Sequence, residues 1–178
     1  ESNDIPEWTA FKPANNSVIG VMTGMEYMAV SADELSDWAT DSNGWALDCS
    51  FANIGWSASQ DEDGNMYVSS PAGSTSTTAT CGIVDPFGAA AVETLDFTFG
   101  QPFSGSASIT DGENIDFQIN PTGLLAEITV EAQAHQTQGK GDIRSTLVSN
   151  QAVTISLPMN NLRPGAVLIM GQATGTNM

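Results

Sequence analysis

The chain has 178 residues, 40% of them hydrophobic, which is long enough to bury one substantial core. Its 21 acidic and four basic residues give a net charge of −17, although only 14% of the residues are charged. Four scattered cations cannot form the basic patch that binds nucleic acid or an anionic membrane surface, so we expect neither partner. No apolar run approaches the roughly 18 residues of a membrane-spanning helix, so we expect no membrane insertion.

Two short apolar segments open the predicted fold, at residues 18–21 and 25–30, and both have the length of strands. Ser31 then stands three residues before Glu34, which is the spacing of a capping box at a helix N-terminus. The sequence therefore predicts one short helix near residues 31–40.

Residues 41–86 are rich in Gly-containing turns and in Ser and Thr, and they include the only two cysteines, Cys49 and Cys81. This segment suggests an insertion or small subdomain pinned by a disulfide. The chain begins with Glu rather than Met, so we expect that a signal peptide was removed and that the protein is extracellular or on the cell surface, where a disulfide can form. Two buried free thiols are the alternative.

The second half of the chain alternates apolar and polar residues with a period of two, beginning at Leu95 and Phe97. Seven such strands follow within about 80 residues, joined by short turns and by a polar loop at residues 135–141. This pattern predicts an all-β fold, an antiparallel β-sandwich or barrel-like domain that spans residues 1–178. A seam within it is suggested at residues 86–88.

An acidic turn supplies the one candidate metal site. Asp61, Asp63 and Asn65 alternate around a glycine, and oxygen-bearing side chains at such a turn can bind Ca²⁺, the one cofactor that the sequence suggests. Two ligands of a calcium-binding EF-hand loop are missing, so an exposed acidic turn without metal is the alternative. Asp41 and Asp48 belong to a second, weaker acidic cluster, which can equally be a simple turn.

All four tryptophans lie in the first third of the chain. An exposed indole ring can stack on sugar rings, so Trp38, Trp45 and Trp56 are the candidate residues of a carbohydrate-binding site. Burial in the core is the alternative, and Trp45 and Trp56 could also pack against a disulfide at Cys49.

No catalytic motif is evident in the sequence. His135 is the only histidine, and catalytic triads and most catalytic zinc sites need one. This residue stands in the polar loop without a readable partner, so we expect an ordinary surface side chain. Carboxylate pairs could still hydrolyse glycosides, but 21 acidic residues offer too many pairs to choose among. Whether the protein is an enzyme stays open, and the sequence favours a function other than catalysis.

The last predicted strand, residues 166–173, is apolar on both faces, with Val167 and Ile169 in its apolar run. It contains no charge and no Pro, which are the residues that usually keep an edge strand from pairing with another chain. Val167 and Ile169 therefore mark a predicted assembly strand that could pair with a neighbouring subunit.

Three functions fit these observations. The first is a non-enzymatic structural or adhesive subunit of an extracellular assembly, of pilus, surface-layer or virion type, whose partners are copies of itself or other extracellular proteins. The second is a secreted module that binds neutral polysaccharide through tryptophans, with or without calcium. The third is a secreted hydrolase that uses paired carboxylates. Low charge, abundant small polar residues and short strands favour the first.

Overall fold

Fifteen strands and one short helix form the described part of the chain, so the predicted all-β fold is confirmed. Contacts divide the chain into two compact units, Glu1–Gln101 and Pro102–Met178. The boundary falls after Gln101, and the seam suggested at residues 86–88 lies inside the first unit. The computed structural model describes residues 3–110, 114–136, 139–148, 151–158 and 168–177.

The first unit contains nine strands, which are β1 (Glu7–Trp8), β2 (Ser17–Gly20), β3 (Glu26–Val30), β4 (Ala39–Thr40), β5 (Ala46–Phe51), β6 (Ser57–Gln60), β7 (Met66–Ser69), β8 (Ser76–Val84) and β9 (Leu95–Gly100). Strands β2, β9, β8 and β5 form a four-stranded sheet in that order. Its β2–β9 pair is parallel and its other pairs are antiparallel. Strands β3, β7 and β6 form a three-stranded antiparallel sheet, and β1 pairs with β4.

One hydrophobic core joins the two larger sheets of the first unit. Phe97 and Phe99 of β9 reach it from the four-stranded sheet, and Val30 of β3 and Val68 of β7 reach it from the three-stranded sheet. Residues of β8 alternate between exposed and buried, as the period of a strand requires. Because the inner faces of two sheets share one core, the first unit is a β-sandwich.

Residues 41–86 contribute strands to both sheets of this sandwich. Cys49 of β5 and Cys81 of β8 are directly opposite each other and form a disulfide, with their Cα atoms 4.1 Å apart. The predicted bond is confirmed, and the alternative of two free thiols is wrong. The bond joins two neighbouring strands of the four-stranded sheet.

The helix α1 spans Ala32–Ser36, within the predicted range but shorter than it. Ser31 is its N-cap, and the Ser31 Oγ accepts a hydrogen bond from the Glu34 N–H at 3.3 Å, as the capping spacing predicts. Leu35 packs the helix into the core. The helix ends at Ser36, and Asp37 is its C-cap. With five residues, the only helix in the described part of the chain cannot cross a membrane.

The second unit contains six strands, which are β10 (Phe103–Thr110), β11 (Asn114–Pro121), β12 (Leu125–Gln136), β13 (Gly139–Val148), β14 (Val153–Pro158) and β15 (Leu168–Asn177). Strands β10, β11 and β14 form one three-stranded antiparallel sheet in that order, and β13, β12 and β15 form another. Together with β9, these are the seven strands that the alternation predicts.

Two predictions about the second unit need correction. The predicted loop at residues 135–141 is largely strand, and His135 of β12 pairs with Lys140 of β13. Backbone pairing needs no apolar side chains, so a hairpin can extend through polar residues. The last strand begins at Leu168 and continues four residues past its predicted end, to Asn177. Val167 and the side chain of Ile169 lie outside what the structure describes.

Candidate functional site

The acidic turn around Asp61 is a hydrogen-bonded loop between β6 and β7. Asp61 Oδ1 accepts hydrogen bonds from the backbone N–H groups of Asp63 and Asn65, at 3.1 and 2.8 Å. Asp61 Oδ2 accepts one from the side-chain amide of Asn65 at 2.9 Å. Gly64 completes the turn with a φ of +91°, a conformation that glycine adopts without strain.

These hydrogen bonds use the oxygens that were predicted to bind calcium. Both carboxylate oxygens of Asp61 accept donors of the loop, and Asn65 Oδ1 accepts the Ala32 N–H at 2.8 Å, which ties the loop to α1. A calcium ion would have to share these oxygens with the donors of the loop. Among the described residues, no three His, Cys, Asp or Glu side chains are grouped as a metal site requires. Calcium binding at Asp61, Asp63 and Asn65 stays a prediction, and the loop geometry is explained without it.

The same contacts change the acidity of Asp61. The side-chain amide of Asn65 holds the pKa of Asp61 below its ordinary value of 3.8, with further lowering by backbone N–H groups of the loop and a smaller opposing effect of desolvation. A carboxyl group whose pKa is lower in the folded than in the unfolded chain stabilises the fold above its unfolded pKa. That contribution is lost as the pH falls through the lowered pKa.

We therefore predict that Asp61→Asn reduces the dependence of stability on pH in the acid range. Wild type should be the more stable protein at pH 5, and the difference should shrink as the pH falls below about 4. Urea unfolding at a series of pH values measures this, and Asp63→Asn removes a charge from the same loop as a control. Parallel profiles for wild type and Asp61→Asn would show that the loop contacts do not stabilise the ionised carboxylate.

The tryptophans predicted to bind sugar are mostly core residues. Trp38 and Trp56 are only 4% and 8% exposed, so neither presents a ring to solvent. The Trp38 ring lies 6.0 Å from that of Phe97, and the Trp56 ring lies 6.3 Å from that of Phe51. Burial therefore accounts for these two residues, and only Trp45 of the three is left partly exposed.

Trp45 lines a cleft of about 390 Å³ between α1, the turn that follows β4 and the β6–β7 loop. This volume is in the range of sites that bind small molecules. The cleft also includes Asp63, from the acidic turn, and Asp41, from the weaker acidic cluster. Asp41, Trp45 and Asp63, which the sequence presents as parts of three separate features, thus line one cleft. The sequence does not predict this, because Asp63 lies far from the other two residues along the chain.

Hydrogen bonds hold two walls of the cleft in position. Trp45 Nε1 donates to the carbonyl oxygen of Ala39 at 3.1 Å, which orients the indole. Gln60 Oε1 accepts the backbone N–H of Leu47 at 3.0 Å. Both side chains are partly buried, so the aromatic surface of the cleft is fixed in place rather than free to rotate.

Asp41 is the least satisfied polar group of the cleft. Its Oδ2 accepts the backbone N–H of Asn43 at 2.9 Å. Its Oδ1 is buried and has no hydrogen-bond partner among the described atoms. Leaving a buried acceptor unpaired costs on the order of 1–3 kcal/mol, and more when the group is charged.

The charge of the protein is concentrated in the first unit, which contains this cleft. Fifteen of the 21 acidic residues but only one basic residue, Lys12, precede Pro102, so the first unit carries −14 of the total charge of −17. Lys12 forms an ion pair with Glu93 at 2.5 Å. The residues that line the cleft include no Lys, Arg or His. The electrostatic potential at the cleft is therefore strongly negative.

Strand β15 is the second candidate feature. It lies at one edge of the sheet β13-β12-β15 and, in the described part of the chain, pairs with β12 alone. Its register with β12 extends from Leu168, opposite His135, to Asn177, opposite Leu125, with one irregularity near the end. The ten residues of β15 include no charge and no Pro. The strand therefore lacks the residue types that commonly keep an edge strand from pairing with another chain.

Fold and sites together define an all-β, disulfide-bonded chain with an acidic cleft and an uncharged edge strand. No protein-family model matches the chain, and no curated protein matches it. Among solved structures, it is similar to dimeric latent PorU from Porphyromonas gingivalis, with 11% identity and a TM-score of 0.28. The match covers 99% of this chain and 20% of that protein, so the chain spans about a fifth of its length. A similarity this weak supports no inference about function.

Proposed function

We propose that the protein is a structural or adhesive subunit of an extracellular assembly, of pilus, surface-layer or virion type, and that it joins its neighbours through β-strand contacts. The observation that carries the proposal is the uncharged edge strand β15. A free strand edge presents unpaired N–H and C=O groups, which a strand from another chain can complete.

The other edges of the second unit make β15 the best candidate for such a contact. Strand β13, at the opposite edge of the same sheet, carries Lys140, Asp142 and Arg144, and charges of this kind discourage edge pairing. The edges β10 and β14 of the other sheet are uncharged, but they have eight and six residues against the ten of β15. The longest unprotected edge offers the most backbone hydrogen bonds to a partner.

An extracellular location is consistent with the covalent structure. The disulfide Cys49–Cys81 lies in the core sheet, and Cys81 has no exposed surface. Disulfides that stabilise a fold are typical of oxidising compartments. The partners that we propose are copies of the chain itself or other extracellular proteins. Nucleic acid is not proposed as a partner, because the net charge of −17 would repel it.

A charge placed on β15 tests the proposal. We predict that wild type forms species larger than a monomer, and that Ile169→Lys and Gln172→Lys both yield folded monomers because an ammonium group on the edge must lose its water to pair. Thr78→Lys adds the same charge at an exposed position of the central strand β8, away from any edge, and should assemble like wild type. Size-exclusion chromatography with light scattering gives the mass, and circular dichroism gives the fold.

The second variant keeps this test decisive. Ile169→Lys could unfold the chain if the side chain belongs to the protomer's own core, whereas Gln172→Lys replaces a residue that is already polar. Assembly of Gln172→Lys at the level of Thr78→Lys would refute the proposal, and so would a wild type that stays monomeric at every concentration.

The two other functions have weaker support. Binding of neutral polysaccharide through Trp38, Trp45 and Trp56 would need exposed rings, and two of the three are buried. A hydrolase needs two carboxylates at a defined separation across a substrate site. Asp41 and Asp63 line the same cleft, but the other residues that line it do not form a recognisable catalytic group with them. Neither function is therefore proposed.

A further inference from the structure

We propose that the cleft between α1, the turn after β4 and the β6–β7 loop binds an organic cation, an alkylammonium or guanidinium group. This is a ligand site in addition to strand-mediated assembly. Asp41 and Asp63 would accept hydrogen bonds from the cation, and the indole of Trp45 would contact its alkyl chain or its charge. The source is either a free amine or a Lys or Arg side chain of a partner protein, since both present the same group.

The polar groups of the cleft select a donor. Ionised carboxylates accept hydrogen bonds but donate none, so Asp41 and Asp63 can bind only a ligand that carries N–H or O–H groups. Asp41 Oδ1 is already buried without a partner, although Oδ2 is held by the Asn43 N–H.

Electrostatics favours a cation over a neutral sugar as that donor. A neutral ligand that filled the cleft would remove water from two carboxylates without compensating their charge, which is costly. A cation compensates the charge it desolvates, and the −14 of the first unit attracts it. An anionic ligand is excluded because no Lys, Arg or His lines the cleft.

The aromatic wall points to an organic cation rather than a bare metal ion. A cation within about 6 Å of an indole ring is attracted by the ring quadrupole, and the effect increases when the site is partly desolvated. Trp45 is held by its hydrogen bond to Ala39, so it needs no reordering when a ligand enters. A hydrated metal ion would gain little from such a wall, whereas an alkylammonium or guanidinium group uses both the ring and the carboxylates.

Calorimetric titration of the whole chain with butylammonium, which is a free amine of charge +1, and with the equally charged Nα-acetyl-lysine methylamide and Nα-acetyl-arginine methylamide tests the site. We expect binding that Asp41→Asn weakens about tenfold, because one charge-assisted contact is lost. Asn keeps an oxygen that can accept the Asn43 N–H, so the turn should survive. Asp48→Asn removes the same charge from an exposed position of β5 outside the cleft and should leave the affinity unchanged.

The outcomes separate the site from its alternatives and the two sources from each other. Tighter binding of butylammonium than of the amides, at equal charge, indicates a free amine, and tighter binding of the amides indicates a partner's side chain. Equal weakening by Asp41→Asn and Asp48→Asn would mean that only the overall negative field attracts cations, and would overturn the proposal. Binding of the neutral disaccharide cellobiose in place of the cations, or no heat with any of these probes, would overturn it as well.

Discussion

Phe97→Ala should lower the free energy of unfolding by about 3–5 kcal/mol, a large share of the 5–15 kcal/mol that stabilises a typical domain. Phe97 is only 1% exposed and lies on β9, an interior strand of the four-stranded sheet. Its ring centroid is 6.0 Å from that of Trp38 and 6.2 Å from that of Phe99, so the truncation leaves a cavity among large aromatic side chains.

Urea unfolding followed by tryptophan fluorescence measures this loss. Thr98→Ala, at the next position of the same strand and on its other face, is the matched control and should cost less than about 1 kcal/mol. A loss below about 1 kcal/mol for Phe97→Ala would mean that the aromatic cluster around β9 does not form the core of the first unit.

Loss of the Cys49–Cys81 bond should have an effect of similar size. The two cysteines are separated by 32 positions, and a cross-link that closes a loop of this length stabilises the folded state by roughly 3–4 kcal/mol on the chain-entropy argument. The bond joins facing residues of β5 and β8, and Cys81 is fully buried, so a reductant should reach it only when the sheet opens.

Comparing oxidised and reduced wild type in urea isolates the cross-link, since both forms keep the two sulfur atoms in the core. The reduced form should unfold at a clearly lower urea concentration. The double variant Cys49→Ala, Cys81→Ala should lose somewhat more, because it also removes buried sulfur. Equal midpoints for the oxidised and reduced forms would show that the bond constrains nothing in the unfolded chain.

In β9, which the alternation located, the inward residues are large. Leu95, Phe97 and Phe99 alternate with polar residues in β9, and they are 2%, 1% and 0% exposed. The same alternation locates β10 to β14. The N-cap at Ser31 also predicted α1, because the capping hydrogen bond joins residues that are close in the sequence and can be read from their spacing.

The strands between residues 41 and 86 were missed, and β8 shows one reason, since some of its inward residues are small or polar. In β8 the buried positions include Thr77 and Ala79, which carry little hydrophobic signal. Thr77 is 4% exposed and its hydroxyl donates to Asn53 Oδ1 at 2.8 Å, so a tertiary contact satisfies it. A pattern of hydropathy cannot detect a strand whose burial depends on partners elsewhere in the chain.

The cleft was beyond sequence reasoning for a related reason. Asp41, Trp45 and Asp63 come together only after β5, β6 and β7 have paired into two different sheets. The acidic turn was visible as a spacing, but the spacing could not reveal that Asp61 and Asn65 hydrogen-bond each other. The direction in which a carboxylate points is a property of the folded loop.

Assembly through strand edges is tested most directly by sedimentation velocity of the wild-type chain over a range of concentrations. The measurement should be made at about 0.5 M salt, which screens the mutual repulsion of chains that each carry −17. We expect species larger than the 18.6 kDa protomer, in a proportion that increases with concentration. A single species of 18.6 kDa at every concentration would contradict it.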